Sequence, residues 1–309
     1  FVFVRLEYRW LAGVHWLLYG LGILSLGLVL LFGHTVNGTR GWFEILGFQL
    51  QPVEFVKIIM AVVLAKFFSD RSEHLDEWGT IGLSGLLVGV PVGLIMAQPD
   101  LGSAVILVGM WVGVLLAMPV PRRMLLTLAA AGAVVAVISW IGVLQPYQKN
   151  RLLNFVSPGR DRLGSGYNVQ QAMTAVGSGQ WVGRGLGLGP QSQLNFLPER
   201  HTDFIFASIA EELGLVGAVT ILILFGLLFW RIYRLAQASR DNFSILFATV
   251  VAMMFFIQVA INIGMNIGLF PVTGIPLPLI SYGGSSLLAC LMTVGLLESL
   301  AIRQRTLPL

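Results

Sequence analysis

Eight stretches of about 16 to 27 residues, nearly free of charge, constrain this chain more than any other feature, because each matches the thickness of a bilayer core at helical rise. The stretches fall at roughly 11–32, 53–68, 79–97, 102–118, 124–144, 204–230, 243–267 and 285–302. Only 11% of the residues are charged, against about 25% in a soluble domain, so the chain belongs in lipid. The expected fold class is all-α: a polytopic helical membrane protein, a single integral domain over 1–309, with one long loop at 145–203. FVFV at the start, followed by RLEYRW, reads as the tail of a ninth, partial span, with further helical material expected upstream. Pro91 is expected to kink the third span, since it removes a helical hydrogen bond that neighbours must replace. Gly85, Gly89 and Gly93 recur every four residues, as do Gly109 and Gly113, a spacing that lets helix backbones approach closely.

Basic residues assign the orientation, because Lys and Arg are retained on the cytoplasmic side. One set of connections carries Arg5 and Arg9, Lys66 and Arg71, Arg122 and Arg123, Arg231, Arg234 and Arg240, and Arg303 and Arg305. The opposite short loops carry only Arg40. The C-terminus is therefore expected in the cytoplasm, with 33–52, 98–101, 145–203 and 268–284 outside. The net charge of +4 does not imply a nucleic-acid partner. The single cysteine, Cys290, lies inside an apolar run and excludes a disulfide framework or a thiolate metal site. A connection as long as 145–203 is usually functional or disordered, and its apolar residues, Leu152, Phe155, Val169, Met173 and Trp181 among them, argue against disorder. VQQAMTAV within it reads as a short helix lying in the membrane interface.

Three acids occupy equivalent places. Glu54 in QPVEFVK, Asp100 in QPDLGSA and Asp203 in HTDFIFA each stand at the start of a span that begins outside. Helix capping explains such acids well, since carboxylates complement the positive end of a helix. The same helix ends, beside Lys149, Arg151, Arg160, Arg162, Arg184 and Arg200 in the long loop, also make a seat for an anionic phosphate group. Glu54 and Lys57 are three apart on one helix face and can pair; a lysine within a span is costly unless paired or facing a polar cavity. Glu211 and Glu212 are adjacent and cannot point the same way, so one of them is expected to face the interior. His201 stands two residues before Asp203, in reach of a base held by an acid, although a loop histidine is more often solvated. Walker A, HExxH and GxSxG patterns are absent, and GRGLGLG lacks dinucleotide spacing.

GWFEILGFQLQPVEFVKI, QPDLGSA, QSQLNFLPERHTDFIFASIAEELG and FPVTGIPLPLISYGGSS, in this order along nearly the whole chain, resemble the SEDS family of shape, elongation, division and sporulation proteins. LPERHTDFIFA is similar to its rod-elongation branch in particular. The resemblance implies a ten-helix membrane fold, with the first helix and most of the second lacking here. The implied activity is glycosyl transfer that polymerises a lipid-linked disaccharide-peptide precursor, lipid II, into peptidoglycan. It further implies that Asp203 is the essential aspartate, that Glu54 and Lys57 form a functional pair, and that Asp100 is the aspartate of the QPDLG motif. Lys149, Arg151, Arg160, Arg200, His201, Ser281 and Tyr282 are the substrate-binding candidates. A divalent cation, Mg²⁺ or Mn²⁺, would suit the substrate phosphates, and no organic cofactor is expected. Expected partners are a class B penicillin-binding protein and membrane lipid, in a bacterial cytoplasmic membrane. A flippase for the same precursor, or a noncatalytic scaffold, is the alternative.

Overall fold

The computed structural model describes residues 8–36, 38–45, 47–157, 165–194 and 196–306; the stub at 1–4 lies outside them. Each of the eight expected spans coincides with a helix. Six helices among the described residues are long and apolar enough to cross a membrane: His15–Phe32, Trp78–Ala97, Arg122–Val143, Ile205–Ala238, Asn242–Asn266 and Gly284–Arg303. Leu101–Ala117 is shorter, at 17 residues. Pro52–Asp70 carries Glu54, Lys57, Lys66 and Asp70, and these dilute its hydropathy. The fold is mostly helical, as expected, with one small sheet among the described residues. Residues 34–50 form a three-stranded antiparallel meander, β1 (His34–Val36), β2 (Thr39–Ile45) and β3 (Phe48–Leu50), because loop backbone near a membrane still has to pair its N–H and C=O groups.

The chain divides into two compact units. The first comprises 1–143, 231–257 and 284–309. It holds α1 (Tyr8–Gly13), α2 (His15–Phe32), the meander, α3 (Pro52–Asp70), α4 (Trp78–Ala97), α5 (Leu101–Ala117), α6 (Arg122–Ile138, extended by a π turn over Ser139–Val143), the first part of α11 (Asn242–Asn266) and α12 (Gly284–Thr306). Helix α3 is buried on almost every side, with Met60, Leu64, Phe67 and Phe68 in its core. Pro52 in its first turn lacks only an N–H that would be unpaired there anyway. The N–H of Gln51 just before it donates to Ser285 Oγ of α12 at 3.0 Å.

Helix α4 continues through Pro91. The carbonyl that Pro91 leaves without a helical donor belongs to Leu87, and the Tyr19 hydroxyl of α2 donates to it at 3.0 Å, which is how a membrane helix tolerates an internal proline. The glycine repeats behave unequally. A Cβ at Gly109 would lie 2.6 Å from Ile257, and one at Gly113 would lie 2.8 Å from Met253, so α5 and α11 need both glycines to approach. Gly85 faces the Trp111 ring, whereas Gly89 and Gly93 have open space.

The second unit comprises 144–230 and 258–283. The long segment supplies α7 (Pro146–Val156), α8 (Ser165–Ser178) and α9 (Pro190–Gln193), followed by α10 (Ile205–Ala238), of which residues 205–230 belong to this unit, as do residues 258–266 of α11. VQQAMTAV is helical, but it is built into the unit, with Ala172 and Ala175 packed on Leu197, Phe204 and Ala207. Helix α10 breaks at Gly214, where φ is 67°. The loop before α9 fills the break: the N–H groups of Arg184 and Gly185 donate to the carbonyls of Glu211 and Glu212, both at 3.0 Å, and Leu215 and Val216 donate to Gln180 and Trp181 at 2.8 and 3.2 Å. Interrupted backbone in a span must be satisfied in this way, since hydrocarbon offers no partners. Of the adjacent acids, Glu211 is the inward one. Its fully buried carboxylate accepts from Gln191 N at 2.9 Å, from Ser192 N at 3.0 Å and from the Ser192 hydroxyl, and so caps α9.

Candidate active site

Asp203 stands two residues before the first residue of α10, in a tight turn whose geometry is set by Glu199. The Glu199 carbonyl accepts from Thr202 N and Phe204 N at 3.1 and 3.2 Å, and Glu199 itself holds φ at 55°, a left-handed conformation that non-glycine residues rarely adopt. From the other side, Ser281 Oγ donates to the Thr202 carbonyl at 2.6 Å and accepts from Leu277 N at 2.7 Å. Tyr282 N donates to the His201 carbonyl at 2.8 Å. The hydroxyl of Ser281, a substrate-binding candidate, is thus committed to the backbone. The Tyr282 side chain is free, 81% exposed.

Two asparagines that the sequence reading passed over hold the Asp203 peptide. Asn262 and Asn266, both fully buried, donate from Nδ2 to the Asp203 carbonyl at 3.0 and 3.1 Å. Asn266 Oδ1 accepts from Ala207 N in the first turn of α10 at 3.0 Å. Amides one helical turn apart, as in INIGMN, are an unusual polar pair inside an apolar span, a signal from which the sequence could have given them. The Asp203 carboxylate itself has no hydrogen bond among the described residues, so it does not cap α10. It is half-buried, and a Cβ at Gly274 (φ 74°) would be 3.6 Å from its Oδ2. Burial pushes its pKa up to about 6; Glu199 adds to the rise by like-charge repulsion, and Arg151 opposes it.

Arg151 also lines a cavity of about 700 Å³ with Asn154, Tyr167, Gln170, Gln171 and Phe270, a size suited to a small-molecule group. Its guanidinium lies 5.4 Å from the Tyr147 ring centroid. Arg200 Nε contacts His201 Nε2 at 3.1 Å, so the His201 ring is not bonded to Asp203. Arg200 Nη1 is buried without a partner, a cationic donor able to take an anion. Lys149 is half-buried on α7. Arg160 and Arg162 lie outside the described residues.

In the first unit, Lys57 Nζ and Glu54 Oε1 are 2.8 Å apart, with side chains 2% and 6% exposed. The lysine does not snorkel outward; the pair is enclosed in α3, the most buried helix of its unit. Asp100 is a cap: one carboxylate oxygen accepts from Ser103 N at 3.0 Å and the other from Ser103 Oγ at 2.7 Å. Among the described residues no group of three or more His, Cys, Asp or Glu side chains has metal-site geometry.

Apolar helices of membrane length, an ion pair enclosed in one of the helices, and a carboxylate with a raised pKa, unbonded among the described residues and under the influence of Arg151, define a multi-pass membrane protein with a candidate acid–base site. The family model described as cell cycle protein, FtsW/RodA/SpoVE, matches residues 1–306, and the chain belongs to that family. It is 39% identical over 281 residues to a probable peptidoglycan glycosyltransferase FtsW of Thiomicrospira cyclica, covering 89% of this chain and 71% of that one. To the peptidoglycan glycosyltransferase MrdB of Escherichia coli K12 it is 36% identical over 290 residues, covering 94% and 78%. Among solved structures, it superimposes with a TM-score of 0.85 and 36% identity, over 99% of this chain and 85% of the other, on a chain described under structural coordination of polymerization and crosslinking by a peptidoglycan synthase complex.

Proposed function

We propose that this chain is a peptidoglycan glycosyltransferase, of the rod-elongation (RodA) branch, with Asp203 as general base. The relatives above carry that activity in their names, and LPERHTDFIFA is the stretch that favours the branch. In the reaction, the acceptor sugar's hydroxyl oxygen bonds to the anomeric carbon of a lipid-linked donor. The bond from that carbon to the pyrophosphate oxygen breaks, and the polyprenyl pyrophosphate leaves with the electron pair. The hydroxyl proton passes to Asp203. The observation that carries this reading is a half-buried carboxylate with no hydrogen bond among the described residues and a pKa of about 6, matched to proton transfer near neutral pH. Arg151 and Arg200, the latter with its unpartnered Nη1, are the candidates to stabilise the departing phosphates. A divalent cation, Mg²⁺ or Mn²⁺, would sit on the substrate phosphates, since among the described residues no group of three or more His, Cys, Asp or Glu side chains could hold it.

The chain sits, in this reading, in a bacterial cytoplasmic membrane with its C-terminus in the cytoplasm and lipid II at the outer face. Its partner is a class B penicillin-binding protein. A precursor flippase has two observations in its favour, the ion pair buried in α3 and the break in α10 at Gly214, since transporters build on both features. Purified protein supplied with lipid-linked precursor separates the readings. Glycan polymer is expected; translocation in vesicles with no polymer would overturn the assignment.

A further inference from the structure

We infer that Asn266 is a positioning residue for the proposed reaction: it takes the α10 N–H that lies open to the neighbouring acid and so leaves the Asp203 carboxylate unengaged. This rests on Asp203 being the base. The Phe204 carbonyl accepts from Ser208 N at 3.1 Å, which makes Phe204 the residue at the cap and leaves the N–H groups of the first turn without helical acceptors. Phe204 has no side-chain acceptor. Asp203 is the nearest acid in sequence, one residue ahead of the cap, whereas Asp100 is itself the cap of α5 and turns to Ser103.

At α10 an amide from another helix fills that role. Asn266 Oδ1 accepts from Ala207 N at 3.0 Å, while its Nδ2 donates to the carbonyls of Asp203 at 3.1 Å and Asn262 at 2.8 Å. Those three partners are backbone groups of fixed donor or acceptor sense, so the orientation of the amide follows from them. Asn262 adds donation to the Asp203 carbonyl at 3.0 Å and to Ile275 O at 2.8 Å. The peptide of Asp203 is therefore clamped from the α11 side while its carboxylate lies over Gly274, with no donor of its own. A neutral amide suits this task. A carboxylate at 266 would bring a second negative charge beside Asp203 and would lack donors for the two carbonyls.

Polymerisation rate against pH, measured on the purified full chain, tests the inference. Asn266→Ala opens the Ala207 N–H to the Asp203 carboxylate, and hydrogen bonding to the charged form lowers a carboxyl pKa. The acid limb should move to lower pH, and the maximal rate should fall about 10²-fold because the base is displaced from its working geometry. Asn266→Ser, whose short hydroxyl cannot serve Ala207 and both carbonyls together, should shift the limb in the same direction by less. A folded Asn266→Ala or Asn266→Ser, checked by melting, that keeps the parent limb would overturn the inference, because a packing role alone does not move it. Failure of both variants to fold also counts against it. Asp203→Asn, run alongside, keeps the outcomes distinct: if that variant retains its rate, the base assignment itself is wrong, whereas an inactive Asp203→Asn with unshifted Asn266 variants removes only the positioning role.

Discussion

Asp100 is the cap of α5 and Asp203 lies one residue ahead of the cap of α10, and their surroundings give them different chemistry. Both oxygens of Asp100 are spent on Ser103, so Asp100→Asn should cost little in stability, since Asn caps about as well as Asp. Asp203→Asn should lose about 10² to 10⁴ in polymerisation rate, the usual contribution of a general base; a rate within about tenfold of the parent would place the base elsewhere. Parent activity should fall as pH drops through about 6, where Asp203 takes up its proton. The stability effect has the opposite sign. Because the folded pKa lies above the unfolded value, this carboxyl favours the fold most below its unfolded pKa, and that contribution is lost as pH rises through about 6. Asp203→Asn should therefore melt no lower than the parent at neutral pH. For the Glu54–Lys57 pair, either neutral single substitution strands a buried charge, at a cost of about 3–5 kcal/mol, and should abolish most activity. The double substitution should be far less than additive in melting and in rate. Normal polymerisation by both singles would make the pair dispensable.

At the scale of elements, α10 shows how a span accommodates broken backbone. Gly214 holds a positive φ, and a Cβ there would sit 2.7 Å from Trp181 C and Val182 N, besides meeting Gly183 N. Gly214→Ala should therefore lower the melting temperature clearly, since a residue forced into such backbone costs about 1–3 kcal/mol before any clash. Gly226, further along the same helix, has nothing within 4 Å, and Gly226→Ala should be neutral or slightly stabilising. Equal effects in the two variants, read by thermal melting in detergent, would deny that the break is a fixed part of the fold. The proline in α4 follows the same rule from the other direction: Tyr19 supplies the hydrogen bond that Pro91 cannot.

For the whole molecule, the proposed orientation is the claim most open to a direct test. Under the orientation proposed from the arginine asymmetry, 145–203 lies outside and the C-terminus inside. Ser165→Cys and Thr306→Cys, each in a Cys290→Ala background, should react with an impermeant thiol reagent from opposite sides of the membrane. Labelling of both from one side would reverse that reading and, with it, the placement of the Asp203 site at the outer face.

The spans were legible in the sequence because lipid imposes one local rule, a helix long enough to cross with its own backbone paired, and hydropathy records that rule directly. The Glu54–Lys57 pair was legible for the same reason, since three residues along a helix fix a shared face. Asp203 was legible as a candidate from its motif. Its freedom from the helix cap was not, because that depends on Asn262 and Asn266, 59 and 63 residues away, and no local periodicity encodes a bond between a turn and a distant span. The meander at 34–50, the break at Gly214 and the burial of Glu211 rather than Glu212 were likewise decided by tertiary structure. In each case backbone or carboxylate groups took partners that the fold brought within reach, and a hydrogen bond is set by that distance, not by separation along the chain.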